Sequence, residues 1–333
     1  MNNALLVGAV VLALGFAWTN GFHDTSNAVA TSLATGALTP RVALGTAALM
    51  NAIGSLLSVG LAVLVGRQLI DDPVSHPGLG LVLAGLLAAI GWNLGTWAAG
   101  IPSSSSHALL GGLAGAGLMA GVHVDWGLLG TRVLLPMLAS PLAGFAGAWL
   151  LTAVLLRVFR SARHAAAVRG FRVAQTVSAS AMAVGHGLQD GQKTMGVIVL
   201  ALAAAGVQPD DGSVPLWVRL VSAAALAAGT AAGGFRIIRT LARRVAPIDP
   251  VTGFAAEAVA AGVLYVTAGM LNAPVSSTHA VTAAVLGAGS TRGGRRIRWR
   301  SVRWILTAWV ATPLATALVG ALLYVPLAAL SSP

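Results

Sequence analysis

The segment NGFHDTSNAVATS, residues 20–32, places an acid inside one of the most apolar parts of the chain. His23, Asp24 and Asn27 lie between the apolar run ALLVGAVVLALGFAW and a further stretch rich in Ala, Val and Leu. Only 9% of the 333 residues are charged and 56% are hydrophobic, whereas a soluble protein has roughly 25% charged residues. We therefore predict an all-α polytopic membrane protein, in which a buried acid needs a functional reason.

Apolar segments of about 20 residues, each long enough to cross roughly 30 Å of hydrocarbon, recur along the whole chain. Two of the predicted segments contain polar, glycine-bearing interruptions, and eight do not. The interrupted segments are residues 4–36 and 173–206, and the plain ones are residues 41–66, 79–97, 102–122, 131–159, 215–240, 251–271, 276–290 and 304–328.

The net charge of +11 comes from arginines in short loops and not from one face of a folded domain, so it indicates no nucleic-acid partner. Lys and Arg are enriched in the cytoplasmic loops of membrane proteins. We therefore predict a multi-pass protein of the plasma membrane with both termini extracytoplasmic. The loops predicted to be cytoplasmic contain Arg41 and the arginines of residues 157–172, 236–244 and 292–303.

Two motifs occur twice, once in each half of the chain. IPSSSSHALLGGLAGAG (residues 101–117) aligns with APVSSTHAVTAAVLGAG (residues 273–289), 172 positions later. GFHDTSNA (residues 21–28) aligns with GLQDGQKT (residues 187–194). The chain is therefore predicted to contain an internal repeat.

The predicted orientation makes this repeat inverted, because the first half starts outside and the second starts inside. We expect an N-terminal transmembrane repeat at residues 1–159, a cytoplasmic Arg-rich linker at 160–172 and an inverted C-terminal repeat at 173–333, with about five crossings in each half. Inverted repeats with broken or re-entrant helices around a midplane site are typical of secondary transporters. Asp24 and Asp190 are the paired acids of this predicted site.

Four ionisable side chains remain inside the predicted spans: Asp24, Asp190, Lys193 and Glu257. Such groups are costly in hydrocarbon and usually mark a binding site or a transport pathway. The alternative is a purely structural pair between Asp190 and Lys193, which are three residues apart on one helix face. That alternative does not explain Asp24, which has no cation beside it in sequence.

The motifs PSSSSH and PVSSTH each place a proline and hydroxyl residues before a Gly- and Ala-rich segment, a pattern that predicts a helix start. A helix N-terminus inside the membrane offers unpaired N–H groups and a positive dipole to an anion. Simple capping of two short helices is the alternative, and the two are compatible. The candidate anion-binding hydroxyls are those of Ser104, Ser105, Ser106, Ser276, Ser277 and Thr278.

Histidines accompany all four motif copies. His107 and His279 follow the hydroxyl runs, while His23 and His186 flank the acidic motifs. Each titrates near neutral pH when unperturbed. His23, His107 and His279 are therefore candidates for cation coupling, although local hydrogen bonding explains a histidine in a first helical turn equally well.

Three acids against one base leave the predicted site negative when all four groups are ionised. Such a site repels an anion unless protons or metal ions accompany it. Uptake of an anion against an inside-negative potential also costs about 2.3 kcal/mol per charge per 100 mV. The residues therefore predict cation-coupled symport of an anion, without identifying the cation.

Five motifs in the same order resemble the inorganic phosphate transporter (PiT) family, and within it the bacterial low-affinity branch. They are NGFHDTSNAVATS, GWNLGTWAAGIPSSSSHALLGGLAGAG, GHGLQDGQKTMG, GFAAEAVAAG and NAPVSSTHAVTAAVLGAG, and the resemblance covers residues 15–325. It implies symport of phosphate with sodium or protons through two inverted repeats. In the bacterial branch the substrate can be a neutral metal–phosphate complex.

The resemblance also implies a set of residues that line the transport site. We take Lys193 and Thr194, which follow the second acid in its motif, as further substrate-binding candidates. The implied set is Asp24, Asn27, Asp190, Glu257 and the hydroxyls of residues 104–106 and 276–278.

The chain departs from the family pattern at four positions. His23 and Gln189 replace asparagines that commonly precede the acids, and Lys193 stands where the last asparagine of the second motif occurs. Asn51 occupies a position where sodium-coupled members have a glutamate. A lost carboxylate and a gained ammonium both weaken a sodium site, so we expect coupling to protons or to metal–phosphate. The Lys193 ammonium can take the place of one coupling cation.

Three other functions fit parts of the sequence. A sulfate or other oxyanion permease on the same scaffold is the nearest, but an ionised carboxylate accepts a hydrogen bond from phosphate and only repels sulfate. A passive anion channel fits less well with broken helices and a negative site. An intramembrane serine hydrolase is the third, but the sequence contains no G-x-S-x-G elbow. The side chains of Ser106 and His107 diverge by about 100° on a helix and cannot form a nucleophile–base pair.

The remaining predictions concern other components. We expect no cofactor and no resident metal, although a divalent ion can enter with phosphate. The lipid bilayer and inorganic phosphate are the predicted partners, and a homodimer is compatible with a carrier of this size.

Overall fold

The computed structural model describes residues 2–64, 78–122, 127, 129–207 and 213–331, and these are almost entirely helical. No strand occurs within these ranges. In chain order the helices are α1 (Asn2–Thr35), α2 (Pro40–Leu56), α3 (Gly60–Val63), α4 (Gly78–Ala99), α5 (Ser105–Met119), α6 (Leu135–Val158), α7 (His164–Ala204), α8 (Leu216–Ala232), α9 (Phe235–Arg244), α10 (Pro250–Leu264), α11 (Ser277–Ser290) and α12 (Trp299–Ser331). π-helical turns at Leu129–Leu134 and Tyr265–Met270 precede α6 and follow α10.

Both segments predicted to be interrupted are continuous helices. α1 and α7 pass through the acidic motifs without a break and are 34 and 41 residues long. Gly21, which suggested a break, instead allows close packing, because a Cβ there would lie 2.2 Å from the backbone oxygen of Leu226 in α8. α7 begins at His164, so much of the predicted linker at 160–172 is its first turns.

Two predicted crossings are too short to span the membrane. α5 has 15 residues and α11 has 14, which makes each just over 20 Å long, against roughly 30 Å of hydrocarbon. α5 runs antiparallel to α4, since Gly85 lies against Leu113 and Gly117 against Leu81. The segments at 102–122 and 276–290 are therefore the returning arms of helical hairpins, and not full crossings as predicted.

Five helices in the described ranges are long and apolar enough to cross a membrane, or six if the bent pair α8 and α9 counts as one span. The angle between α8 and α9 is 64°. These findings confirm an all-helical membrane protein. The candidate spans are Asn3–Thr35, Gly78–Ala99, Gly130–Val158, Pro250–Met270 and Trp299–Ala329.

The closest helix contacts occur in matched pairs that join opposite halves of the chain. A Cβ on Gly115 of α5 would lie 1.9 Å from the backbone oxygen of Ala317 in α12, and one on Gly287 of α11 would lie 2.1 Å from that of Phe145 in α6. Both residues of the second contact lie 172 positions from those of the first. Each hairpin thus packs on the last helix of the other half, and we infer that a two-fold relation between halves produces this pattern.

The same reciprocity joins the other long helices. α1 packs on α8, and α7 packs on α2. A two-fold relation between the halves accounts for both contacts at once. The backbone approaches that carry them are Gly21 to Leu226, Gly187 to Asn51, Gly54 to Val184 and Gly229 to Trp18.

The loops predicted to be cytoplasmic meet at one end of the helices. Arg292 forms an ion pair with Asp249, and the amide of Arg298 donates to the carbonyl of Val245. A Cβ on Gly36 would lie 3.8 Å from Arg172. The basic loops therefore share one face, as a cytoplasmic surface requires.

Candidate functional site

Two matching faces of α1 and α7 carry the predicted acids. Asp24 and Asn27 lie on α1, and Asp190 and Lys193 lie at the same three-residue spacing on α7. None of the four is more than 2% exposed. Because burial of charge is costly without partners, the surrounding polar groups decide what this region can do.

The hydroxyls of Ser104 and Ser276 cap the two short helices. Each accepts a hydrogen bond from the backbone N–H three residues later, that of His107 at 3.1 Å and that of His279 at 3.2 Å. Helix α5 begins at the next residue, Ser105. Capping, the alternative in the sequence, thus describes the first hydroxyl of each run.

Loss of a cap should affect stability more than transport. Ser104→Ala and Ser276→Ala are expected to lower the free energy of unfolding by about 1 kcal/mol each, with little change in the KM for substrate. Ser105→Ala, whose hydroxyl faces a carboxylate, is the matched comparison and is expected to weaken transport about tenfold. Thermal unfolding and uptake assays on the three variants test this. Equal effects on KM would show that the caps also bind substrate.

The next hydroxyls connect the two helix N-termini to the acids. Ser105 donates to Asp24 Oδ2 at 3.2 Å, and Thr278 donates to Asp24 Oδ1 at 3.2 Å. Ser277 donates to Asp190 Oδ2 at 3.0 Å. The N-termini of α5 and α11 therefore lie beside both carboxylates, deep among the spans.

Asn27 and Lys193 make equivalent contacts across the halves. Asn27 Nδ2 donates to Thr278 Oγ1 at 3.0 Å, and Lys193 Nζ donates to Ser106 Oγ. Lys193 Nζ also lies 2.5 Å from Asp190 Oδ1. The predicted structural pair thus exists, but it is part of the same polar region as the other acid.

His186 belongs to this region, although the sequence did not single it out as a site residue. Its Nε2 is 2.9 Å from Asp190 Oδ2 and 3.9 Å from Asp24 Oδ2, and its Nδ1 is 3.1 Å from Asn51 Oδ1. An amide oxygen only accepts, so Nδ1 carries the hydrogen in this contact. The spacing of four residues to Asp190 was the signal in the sequence.

His186 and the two acids also form a group that could hold a metal ion. One ligand atom from each of Asp24, His186 and Asp190 lies within 4.8 Å of the others. His23 adds a contact of 2.7 Å from Nδ1 to Asp24 Oδ1. A nitrogen and two carboxylates suit a divalent transition metal, whereas a set of oxygens alone would favour Mg²⁺ or Ca²⁺.

The other histidine pair lies next to the helix starts. The rings of His107 and His279 meet edge to face with centroids 4.5 Å apart, and His279 stacks on Trp309 at 3.8 Å. No contact of either ring with a carboxylate is seen in the described ranges. Their predicted role in cation coupling stays a prediction.

Glu257 forms its hydrogen bonds away from the paired acids. Glu257 accepts hydrogen bonds from Thr31, from Ser178 at 2.5 Å and from Gln175 at 3.5 Å. Thr31 follows the first acid by seven residues, about 10 Å along α1. Glu257 therefore forms a second buried cluster along α1 from the paired acids, and its implied place in the transport site stays a prediction. Thr194 is buried, and its hydroxyl has no partner within the described ranges.

Two helix N-termini and two acids buried between reciprocally packed halves define a membrane transporter for a small anion. The chain belongs to the Phosphate transporter family, whose model matches residues 20–169 and 158–320. This membership confirms the resemblance found in the sequence. It identifies a transporter and not an enzyme, which excludes the serine hydrolase.

Several curated relatives carry related names. A probable low-affinity inorganic phosphate transporter of Mycobacterium bovis is 45% identical over 327 residues, which is 96% of this chain and 77% of the relative. One of the same name from Bacillus subtilis is 36% identical over 96% of both chains. The low-affinity inorganic phosphate transporter PitB of Escherichia coli is 34% identical over 62% of this chain and 46% of its own.

A solved structure shares the fold. It is described as the sodium-dependent phosphate transporter and superposes with a TM-score of 0.86, covering 97% of this chain and 99% of its own. Its sequence is 20% identical, so the likeness supports the architecture and leaves the coupling cation open.

Proposed function

We propose that the protein imports inorganic phosphate together with cations by alternating access. The observation that carries this proposal is the meeting of the α5 and α11 N-termini with Asp24 and Asp190. N–H groups and hydroxyls donate to phosphate oxygens, while a protonated phosphate oxygen donates to a carboxylate. Sulfate has no such hydrogen at neutral pH, so the two acids favour phosphate over sulfate.

Cations must enter with the anion, because the site cannot neutralise it alone. Asp24, His186 and Asp190 are suited to a divalent metal that arrives with phosphate as part of the substrate. Asn51 contributes no carboxylate. Its Nδ2 donates to Thr230 Oγ1 at 2.8 Å, and its Oδ1 accepts from His186 Nδ1. We therefore propose coupling to protons or to metal–phosphate, and not to sodium.

Glu257 is proposed to carry a coupling proton. Glu257 is 2% exposed, and the side chains that donate to it in the described ranges are neutral, with no cation among them. A buried carboxyl without a cationic partner favours its protonated form. Its partner Thr31 lies between Asp24 and the C-terminal end of α1, so Glu257 lies on the side of the paired acids that faces the basic loops.

Glu257→Gln should separate exchange from coupling. The variant keeps the size of the side chain and resembles the protonated carboxyl group, with the amide NH2 donating to Ser178, but it cannot release a proton. It is expected to retain phosphate exchange across proteoliposomes and to lose at least about tenfold of proton-driven accumulation. Ser178→Ala, which keeps the carboxyl group, is the matched control and should keep coupling. Normal proton-driven accumulation by Glu257→Gln would refute this role.

The test of the proposed function is labelled phosphate uptake by purified protein in liposomes, with pH, sodium, magnesium and manganese(II) gradients imposed independently and sulfate as competitor. Uptake driven by protons or divalent metal, indifferent to sodium and resistant to sulfate supports the proposal. Uptake driven by sodium alone would refute the coupling, and uptake of sulfate without phosphate would refute the substrate. Accumulation against a gradient separates a carrier from a passive channel.

The orientation and assembly follow as further proposals. We place the basic loops in the cytoplasm of a plasma-membrane protein, with both termini outside, on the arginine distribution. The two inverted repeats at residues 1–159 and 173–333 are supported by the reciprocal helix contacts. A homodimer remains a prediction for cross-linking to test.

A further inference from the structure

The polar region divides into two half-sites, an N-terminal one with Asp24 and Asn27 and a C-terminal one with Asp190 and Lys193. Asn27 and Lys193 occupy equivalent positions in them. Each lies three residues after the acid of its motif, and 166 positions separate both the acids and these two residues. Each donates to the last hydroxyl of the opposite serine run, Thr278 for Asn27 and Ser106 for Lys193. The two half-sites are thus built alike, except that one contains an amide where the other contains an ammonium.

The ammonium completes the C-terminal half-site. Lys193 has three N–H donors, and it contacts Asp190 Oδ1 at 2.5 Å, Val275 O at 3.1 Å and Ser106 Oγ. The side chain is 1% exposed. Its charge therefore stays beside Asp190, and all its donors are used within the protein.

The N-terminal half-site has no ammonium and contains amide oxygens without a partner among the described residues, and Gln189 Oε1 in the second motif is also without one. The Oδ1 atom of Asn27 has no hydrogen-bond partner within the described ranges, and neither does the amide of Asn20, one turn before Asp24. Asn20 is 0% and Asn27 1% exposed, and buried polar atoms of this kind are normally satisfied. Amide and carboxylate oxygens are ligands for hard cations. Three such residues on one face of α1 form an incomplete cation site.

We infer that the Lys193 ammonium is a built-in cation of the C-terminal half-site. It has the role that an exchangeable cation, bound together with phosphate, has in the N-terminal half-site. This inference rests on the proposed function and deepens it by fixing the stoichiometry. Each phosphate moves with one cation fewer than a site with asparagine in both halves would require. The Lys193 ammonium stays with the protein when the substrate leaves, so it neutralises Asp190 without being transported.

The test exchanges the two residues and measures the number of cations per phosphate. Proteoliposomes receive a tenfold gradient of the cation that drives wild-type uptake, with the membrane potential held at zero, and phosphate accumulation is followed to equilibrium. Lys193→Asn adds one cation per phosphate and should raise accumulation about tenfold, because each coupled cation contributes one power of its gradient. Asn27→Lys should lower accumulation about tenfold. The double exchange should return the wild-type ratio.

An unchanged ratio in Lys193→Asn overturns the inference while leaving the proposed function intact. Where that single variant does not fold, Asn27→Lys and the double exchange decide, because the double exchange keeps one lysine beside one aspartate. If both fold, an unchanged ratio in Asn27→Lys together with an altered ratio in the double exchange also overturns the inference. Absence of phosphate uptake by the wild-type protein under every gradient overturns the proposed function itself.

Discussion

Asp190→Asn is expected to abolish phosphate uptake and to lower the free energy of unfolding by about 3–5 kcal/mol, the range for an ion pair broken by removal of one buried partner. Lys193 Nζ lies 2.5 Å from the Asp190 carboxylate and is 0% exposed, so its charge would remain buried without a counterion. His186 would lose its partner at 2.9 Å as well. Thermal unfolding in detergent and uptake in liposomes measure the two effects.

Asp24→Asn is the matched control because it changes the equivalent acid. It should also abolish uptake, but with a smaller loss of stability, since its contacts in the described ranges are histidines and hydroxyls and include no lysine or arginine. The double variant Asp190→Asn with Lys193→Met should recover stability without uptake. Equal destabilisation by both single variants, or normal uptake by Asp190→Asn, would contradict this account.

Gly115→Val and Gly287→Val are expected to prevent the hairpins from docking on the other half, with a loss of about 3 kcal/mol or more. Their Cβ atoms would lie 1.9 and 2.1 Å from backbone oxygens of α12 and α6. A backbone cannot move aside as a side-chain end can, so whole helices would separate. Size-exclusion chromatography of each variant should show loss of the folded monodisperse species.

Gly262→Val controls for the intrinsic effect of valine in a helix. Gly262 lies in α10, and a Cβ there would meet nothing within 4 Å. This variant should be as well folded as the wild type, because valine has a better helix propensity than glycine. Normal folding of Gly115→Val and Gly287→Val would refute the reciprocal packing of the hairpins.

The sequence predicted the parts of the site that periodicity and repetition make visible. Membrane helices follow from hydropathy, and the duplicated motifs predicted that Asp24 and Asp190 share a site with the serine runs. The structure brings these residues together, with Ser105 and Thr278 on the first acid and Ser277 on the second. Two aligned copies of a motif show which residues are equivalent in the two halves, and a single copy gives no such information.

The errors have a common physical cause. Glycines near the acids predict helix breaks, but in α1 and α7 they let two backbones approach, which depends on partners far away in sequence. The sequence also does not reveal the cluster of Glu257 with Thr31 and Ser178, because this cluster forms only through tertiary packing. Helices α5 and α11 have the apolar composition of membrane crossings, but they begin deep in the fold and are too short to cross. Composition alone therefore does not distinguish them from full crossings.

The most direct test of the central claim is to locate the bound anion with arsenate, a tetrahedral analogue of phosphate that scatters anomalously. Crystals of the wild-type protein grown with arsenate should show an anomalous peak between the N-termini of α5 and α11, about 3 Å from their donors, which excess phosphate removes. A peak found only elsewhere, for example beside Arg239 and Arg243 in the cavity between α1 and α9, would contradict the account.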